Sequence, residues 1–181
     1  MKISRKQVAK GVLLALGLAG VIVVAAAAPN LFAAFGRFGD FSKTRKDNFK
    51  RSLEKLKKDG LVSMSYEGNK IVMKLTKNGK EKILKYQVDD LKIEKPKRWD
   101  KLWRIVIFDV PVSLNSARLA FTSKLRELGF KYLQKSVWVC PYPCEDEVDF
   151  IAEYYRVRKY TRLLICQEMD RKNELEKMFN I

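Results

Sequence analysis

Residues 60–79, GLVSMSYEGNKIVMKLTKNG, contain the pattern that decides the fold of the first half of this chain. Two runs rich in apolar and β-branched residues, 61–66 and 71–75, flank a short polar stretch that contains Gly68. Such runs on either side of a glycine-containing turn predict a β-hairpin. A glycine before the hairpin and a threonine after it are typical of a helix end and a helix cap. The stretch therefore predicts a helix, a hairpin and a second helix, in that order.

The helix predicted before the hairpin begins near Ser42, a residue type that caps helices, and ends at about Lys58. Phe49, Leu53 and Leu56 recur at spacings of four and three residues, which places them on one buried face. The rest of the helix carries the cations Lys43, Arg45, Lys46, Lys50, Arg51, Lys55, Lys57 and Lys58. Because like charges at this density repel one another, the helix predicts an anionic partner.

The order of these elements, with Leu75, Thr76 and Gly79 opening the second helix, resembles winged helix-turn-helix transcription regulators over residues 42–87. In that family the helix before the hairpin lies in the major groove of DNA, and the hairpin tip meets phosphates or the minor groove. An alternative is a solvated basic helix beside a structural hairpin, as in winged helices that bind proteins. The resemblance implies that DNA is bound by Lys43, Arg45, Lys46, Lys50, Arg51, Asn69 and Lys70.

The composition of the chain supports a polyanionic partner. Its 37 lysines and arginines outnumber 21 aspartates and glutamates, which gives a formal net charge of +16. Residues 11–101 hold 20 of the basic and 10 of the acidic side chains, whereas residues 102–181 hold 13 and 11. Since a basic surface attracts phosphate, double-stranded DNA is the expected partner, and the first half of the chain is expected to bind it.

Some kinds of chemistry are excluded by what the sequence lacks. Histidine is absent, so imidazole bases and histidine metal ligands are excluded. The three cysteines, Cys140, Cys144 and Cys166, are an odd number without framework spacing, which is typical of a reducing compartment and indicates a cytoplasmic protein. The spacing of Cys140 and Cys144 resembles half of a zinc site, but no second pair follows, so packing thiols are the favoured interpretation.

The N-terminal region is apolar. Residues 11–28 contain no polar side chain, and four cations precede them within residues 1–10. We expect residues 1–36 to form a basic end and a helix, with residues 11–35 tethering the protein to the inner face of the cell membrane. A signal peptide is one alternative, and a pair of buried helices at the base of the winged helix or in a dimer interface is another.

The second half of the chain predicts a separate α/β domain. We expect the winged helix at 37–87, a charged linker at 88–101 and a domain at 102–181. Within that domain, strands are predicted at 104–108, 130–133, 137–140 and 160–167, with helices following the first and third strands. The order βαββαβ predicts a ferredoxin-like fold, so the fold class of the whole chain is α+β.

Local motifs in this domain carry a more specific resemblance. The stretch IVIFDVP at 105–111, a helix with Arg118, and GF at 129–130 followed by LQKSVWV at 133–139 resemble the CRISPR-associated Cas-two proteins. The same motifs are similar to the central domain of the PaaX repressors, which also have a winged helix in front. The resemblance, over about residues 98–170, implies a DNA-binding transcriptional regulator that dimerises through its Cas-two-like domain and needs no cofactor.

Resemblance to the Cas-two nucleases implies an alternative function. In them the aspartate at the end of the first strand, matching Asp109, pairs across a dimer axis and holds a divalent metal that activates water. That resemblance implies an Mg²⁺-dependent endonuclease that acts on RNA or DNA in CRISPR spacer acquisition, with Arg118 and Ser136 supporting Asp109. The favoured interpretation is that Asp109 caps the following turn, because one carboxylate in each chain is a small catalytic apparatus.

Overall fold

The computed structural model describes residues 4–25, 46–68 and 70–181, and side chains at 24, 25 and 46–48 lie outside that description. The chain divides into two compact units, with the boundary between Asp89 and Asp90. Both units combine helices with an antiparallel sheet, so the α+β class is confirmed.

The first unit contains three helices and three strands among the described residues. The strands form one antiparallel sheet in the order β1-β3-β2, with Val21 opposite Lys74 and Val62 opposite Leu75. The elements are α1 (Arg5–Ala19), β1 (Val21–Ala25), α2 (Lys46–Lys58), β2 (Val62–Glu67), β3 (Lys70–Leu75) and α3 (Lys77–Asp90).

The apolar N-terminal run forms two elements instead of one long helix. Helix α1 begins at a capping box. The Ser4 hydroxyl accepts a hydrogen bond from the Gln7 backbone N–H, and the Gln7 side-chain oxygen accepts one from the Ser4 backbone N–H. It ends at Gly20, whose φ of 71° is in the left-handed region that glycine tolerates. Strand β1 follows directly and pairs with β3.

The expectation that residues 11–35 tether the protein to a membrane is not supported by the described part of that segment. Within residues 4–25, 46–68 and 70–181, no helix is long and apolar enough to cross a bilayer. The alternative, burial of the segment in the core beside the hairpin, is correct for α1. Its fully buried side chains pack in one cluster with those of α2: Val8, Val12, Leu13, Leu16, Phe49, Leu53 and Leu56.

This packing predicts opposite effects for two leucines in α1. Leu16 is fully buried, whereas Leu18 is 80% exposed. Leu16→Ala should lower the free energy of unfolding by about 2 to 3 kcal/mol, because it leaves a cavity in the core. Leu18→Ala should change it by less than about 0.5 kcal/mol. Urea denaturation followed by circular dichroism measures both changes, and equal losses would contradict the burial of this face.

The hairpin and its bounding residues follow the sequence prediction closely. Helix α2 ends before Gly60, and the Thr76 hydroxyl accepts from the Gly79 backbone N–H at 3.0 Å, which caps α3. The same hydroxyl donates to the Gly60 carbonyl oxygen at 2.6 Å. The predicted start of α2 at Ser42 lies outside the described residues. Thr76 thus joins the end of α2 to the beginning of α3.

The second unit contains a four-stranded antiparallel sheet in the order β5-β6-β4-β7. Alternate residues of the central strand β4 point to opposite faces. Val106 and Phe108 join a core with α4 and α5, while Trp103 and Ile105 join another with Leu175 of α6. The elements are β4 (Trp103–Phe108), α4 (Asn115–Glu127), β5 (Lys131–Gln134), β6 (Val137–Cys140), α5 (Glu145–Tyr154), β7 (Thr161–Cys166) and α6 (Lys172–Phe179).

One charged side chain of β4 is buried. Arg104 is 4% exposed, and its guanidinium donates two hydrogen bonds to the Asp100 carboxylate, at 2.6 and 2.9 Å. It also reaches Glu145 Oε1 at 3.4 Å and the carbonyl oxygens of Leu102 and Pro141. These bonds hold the loop before β4 and the beginning of α5 against the strand.

The cysteine pair lies close to this network. Cys140 ends β6, Cys144 precedes α5, and both are buried, free thiols in the core formed with α4 and α5. Their burial agrees with the interpretation of packing thiols.

Candidate nucleic-acid interface

Helix α2 separates its apolar and basic side chains onto two faces. Phe49, Leu53 and Leu56 are buried, and the Ser52 hydroxyl donates to the Arg5 carbonyl oxygen of α1 at 3.4 Å. The exposed cations of the other face are Lys50, Arg51, Lys55, Lys57 and Lys58. Contact with α1 therefore fixes the orientation in which α2 presents its cations to solvent.

Most of these cations make no ion pair within the described part of the chain. Lys55 is the exception, because its Nζ lies 3.1 Å from Asp59 Oδ2. The other four form what we call the basic face: Lys50, Arg51, Lys57 and Lys58. Such a face matches the regular negative charge of a phosphate backbone.

The hairpin adds one further cation from the predicted set. Gly68 has a φ of 57°, which lets the chain turn sharply between β2 and β3. Lys70 is exposed at the start of β3, opposite Glu67 in the strand register. Glu67 places a negative charge across from Lys70, so we expect Lys70 to attract phosphate less strongly than the basic face does.

Only part of the predicted DNA-binding set can be placed. Lys50, Arg51 and Lys70 are exposed, and Lys46 is the first residue of α2, although its side chain is not described. Lys43, Arg45 and Asn69 lie outside the described residues. The structure thus places Lys50 and Arg51 together on α2 and Lys70 at the hairpin.

Asp109 lies where the sequence predicts it, directly after β4. Its backbone N–H donates to the Tyr160 carbonyl oxygen at 3.0 Å, and the preceding Phe108 N–H donates to that of Ser136 at 3.1 Å. The Asp109 carboxylate is exposed and accepts no hydrogen bond from the residues that the structure describes. The predicted capping of the following turn is therefore wrong.

The surroundings of Asp109 do not fit a magnesium ion within this chain. Arg118 donates from Nε and Nη2 to Asn115 Oδ1, at 3.2 and 2.8 Å. The Ser136 carbonyl oxygen already accepts a hydrogen bond from the Phe108 backbone N–H of β4. Across the described segments, no three aspartate, glutamate or cysteine side chains cluster as metal ligands. One carboxylate supplies too few oxygen ligands for this hard cation.

Comparisons with known proteins give a family resemblance for the second unit. No curated protein matches the chain. Among solved structures, "Uncharacterized protein Rv0674 from Mycobacterium tuberculosis" aligns at 16% identity over 98% of this chain and 67% of its own, with a TM-score of 0.43. Two chains with such a score need not share a fold. A family model, "PaaX protein central Cas2-like domain", matches residues 96–178. Over those residues, a little under half of its length, the chain is similar to the central domain of the PaaX proteins.

Proposed function

We propose that this chain is a DNA-binding transcriptional regulator of the PaaX type, which binds duplex DNA through a winged helix. The observation that carries the proposal is the basic face of α2, whose four cations are exposed and free of ion pairs among the described residues. The exposed Glu54, four residues from both Lys50 and Lys58, offsets one of these charges. The repulsion that remains between the cations is relieved when phosphate binds.

The arrangement of the first unit supports the winged-helix interpretation. A helix and a strand precede α2, a hairpin follows it, and β3 lies between β1 and β2 in the sheet. In winged helices the helix before the hairpin enters the major groove and the hairpin contacts the flanking backbone. By this proposal, α2 reads the groove and Lys70 contacts a phosphate.

The second unit supports dimerisation. From β4 to β7 its elements follow the order βαββαβ of a ferredoxin-like domain, α6 comes after them, and β7 forms an edge of the sheet. Leu164 and Ile165 on this edge strand are 45% and 53% exposed. Because an apolar edge strand tends to pair with another chain, we infer that two copies associate here and present two winged helices to a symmetric DNA site.

A charge-reversal experiment tests the proposed DNA contact. Lys50→Glu combined with Arg51→Glu should weaken binding to a mixed-sequence duplex of about 30 base pairs by about 100-fold, because two phosphate contacts become repulsive. Fluorescence anisotropy at low salt measures the affinity. Sedimentation should give the same oligomeric state as the unsubstituted protein, since these residues lie in the first unit.

The matched control reverses two exposed cations on another helix of the same unit, Lys77→Glu with Lys80→Glu. It changes the net charge by the same amount, so it separates a local contact from general attraction. Equal affinity losses in the two variants, or unchanged affinity in the α2 variant, would refute the assignment of α2 as the DNA-binding helix.

A further inference from the structure

A second group of cations lies in the second unit, where residues 102–181 hold 13 basic and 11 acidic side chains. Between the end of α5 and the beginning of β7, the sequence RVRKYTR at 156–162 places four cations within seven residues. They surround an open concavity of about 440 Å³. We call this the basic concavity, and its lining residues are Glu153, Arg156, Arg158, Lys159 and Arg162.

The protein holds two of these guanidinium groups in place. Arg158 Nε lies 3.0 Å from Asp149 Oδ1, and its Nη1 donates to the Thr161 carbonyl oxygen at 3.5 Å. Arg162 Nη1 donates to the same carbonyl oxygen at 3.0 Å and to that of Lys159 at 3.4 Å. Each guanidinium retains further N–H groups, and its restricted position lowers the entropy lost on binding an anion.

The other two cations are exposed. Arg156 has a φ of 59°, and it makes no ion pair within the described segments. Lys159 Nζ lies 4.8 Å from the centre of the Tyr160 ring, a contact that leaves its charge unneutralised. With Asp149 and Glu153 counted, the cluster keeps an excess of positive charge.

The lining indicates the class of ligand. Every lining residue is charged, whereas pockets for small organic molecules are mostly apolar with a few polar groups. An open surface lined by charged residues, three of them arginines, suits phosphate groups carried on an extended polymer. We propose that the basic concavity binds the phosphate backbone of nucleic acid, as a second contact surface in addition to the basic face of α2. This proposal extends the proposed function and rests on it for the identity of the polymer.

The test uses the full chain and the mixed-sequence duplex of about 30 base pairs. Arg156→Glu with Lys159→Glu should weaken binding by about tenfold or more. It should also reduce the slope of log affinity against log salt by about 1 to 2, because each lost phosphate contact removes about 0.9 from that slope. If this variant fails to fold, neutralisation by Arg156→Gln with Lys159→Gln should give a smaller change in the same direction.

The control is Lys131→Glu with Lys135→Glu, which reverses two exposed cations of the same unit outside the concavity. A loss confined to the concavity variant supports the proposal. Equal affinities and slopes in the concavity and control variants overturn it, and the proposed function stands if the α2 reversal still weakens binding relative to its own control. If the concavity variant loses affinity and the α2 variant does not, this proposal stands and the assignment of α2 as the main DNA contact is wrong. If the unsubstituted protein binds no duplex, both proposals fall.

Discussion

Gly79→Ala should lower the free energy of unfolding of the first unit by more than about 4 kcal/mol, at the upper end of single-substitution effects. A Cβ added at this position would overlap the Leu61 carbonyl oxygen and lie 2.9 Å from Leu75 Cδ2. The Leu61 oxygen cannot simply move away, because it accepts a hydrogen bond from the Thr76 backbone N–H at 3.2 Å. A methyl group here must therefore separate α3 from the chain that follows α2.

Two optical signals distinguish the unfolding of the first unit from that of the second. The three tryptophans, Trp99, Trp103 and Trp138, all belong to the second unit, so their fluorescence follows that unit during urea denaturation. Far-ultraviolet circular dichroism follows both units. Gly79→Ala should move the dichroism transition to lower urea while the fluorescence transition stays in place.

The control for this substitution is Asn78→Ala, one residue earlier in the same helical turn. Asn78 is exposed, so its change to alanine should alter stability by less than about 0.5 kcal/mol. If Gly79→Ala proved as mild as this control, the close contact between α3 and Leu61 would not exist in the folded protein.

Arg104→Ala should produce the second large effect, a loss of about 3 to 4 kcal/mol in the second unit. The substitution empties a buried volume and removes the hydrogen bonds to Asp100, Glu145 and two carbonyl oxygens. Tryptophan fluorescence during urea denaturation measures the loss. A change below about 1 kcal/mol would show that this network contributes little to stability.

Arg104→Met separates the packing of this side chain from its charge. The side chains of Asp100 and Glu145 are 36% and 40% exposed, so water can solvate both carboxylates once the guanidinium is gone. Methionine refills much of the volume, and we expect it to recover part of the stability that alanine loses. If the methionine variant were as unstable as the alanine variant, the loss of stability would be due to the ion pairs and hydrogen bonds alone.

The same ion pairs give Arg104 a pH signature. The Arg104 guanidinium, through its hydrogen bonds, holds the pKa of Asp100 below its usual value. Burial opposes ionisation of Glu145, but backbone N–H groups and Arg104 together keep its pKa low as well. A carboxyl whose pKa is lowered by folding stabilises the protein above its unfolded pKa, near 4, and that contribution disappears as the pH falls further. Acid should therefore destabilise the unsubstituted protein more steeply than the Arg104→Met variant.

Local patterns are sufficient to predict much of this molecule. The hairpin at residues 62–75, the capping role of Thr76 and the amphipathic character of α2 depend on neighbouring residues, so the sequence predicts them directly. The strands and helices of the second unit also follow their periodicity, except that α6 is not among the predicted elements. Charge density on α2 is a property of composition, so the amino-acid sequence is enough to indicate an anionic partner.

The sequence alone therefore determined the two-part α+β organisation, the hairpin and the basic helix. Only the tertiary structure decided that residues 5–19 form a core helix, that the chain turns at Gly20 into an edge strand, and that 156–162 surrounds a concavity. The physical reason is that an apolar run has the same local signature whether lipid or another helix covers it. Likewise, cations close in sequence become a surface only when the fold turns them toward one another.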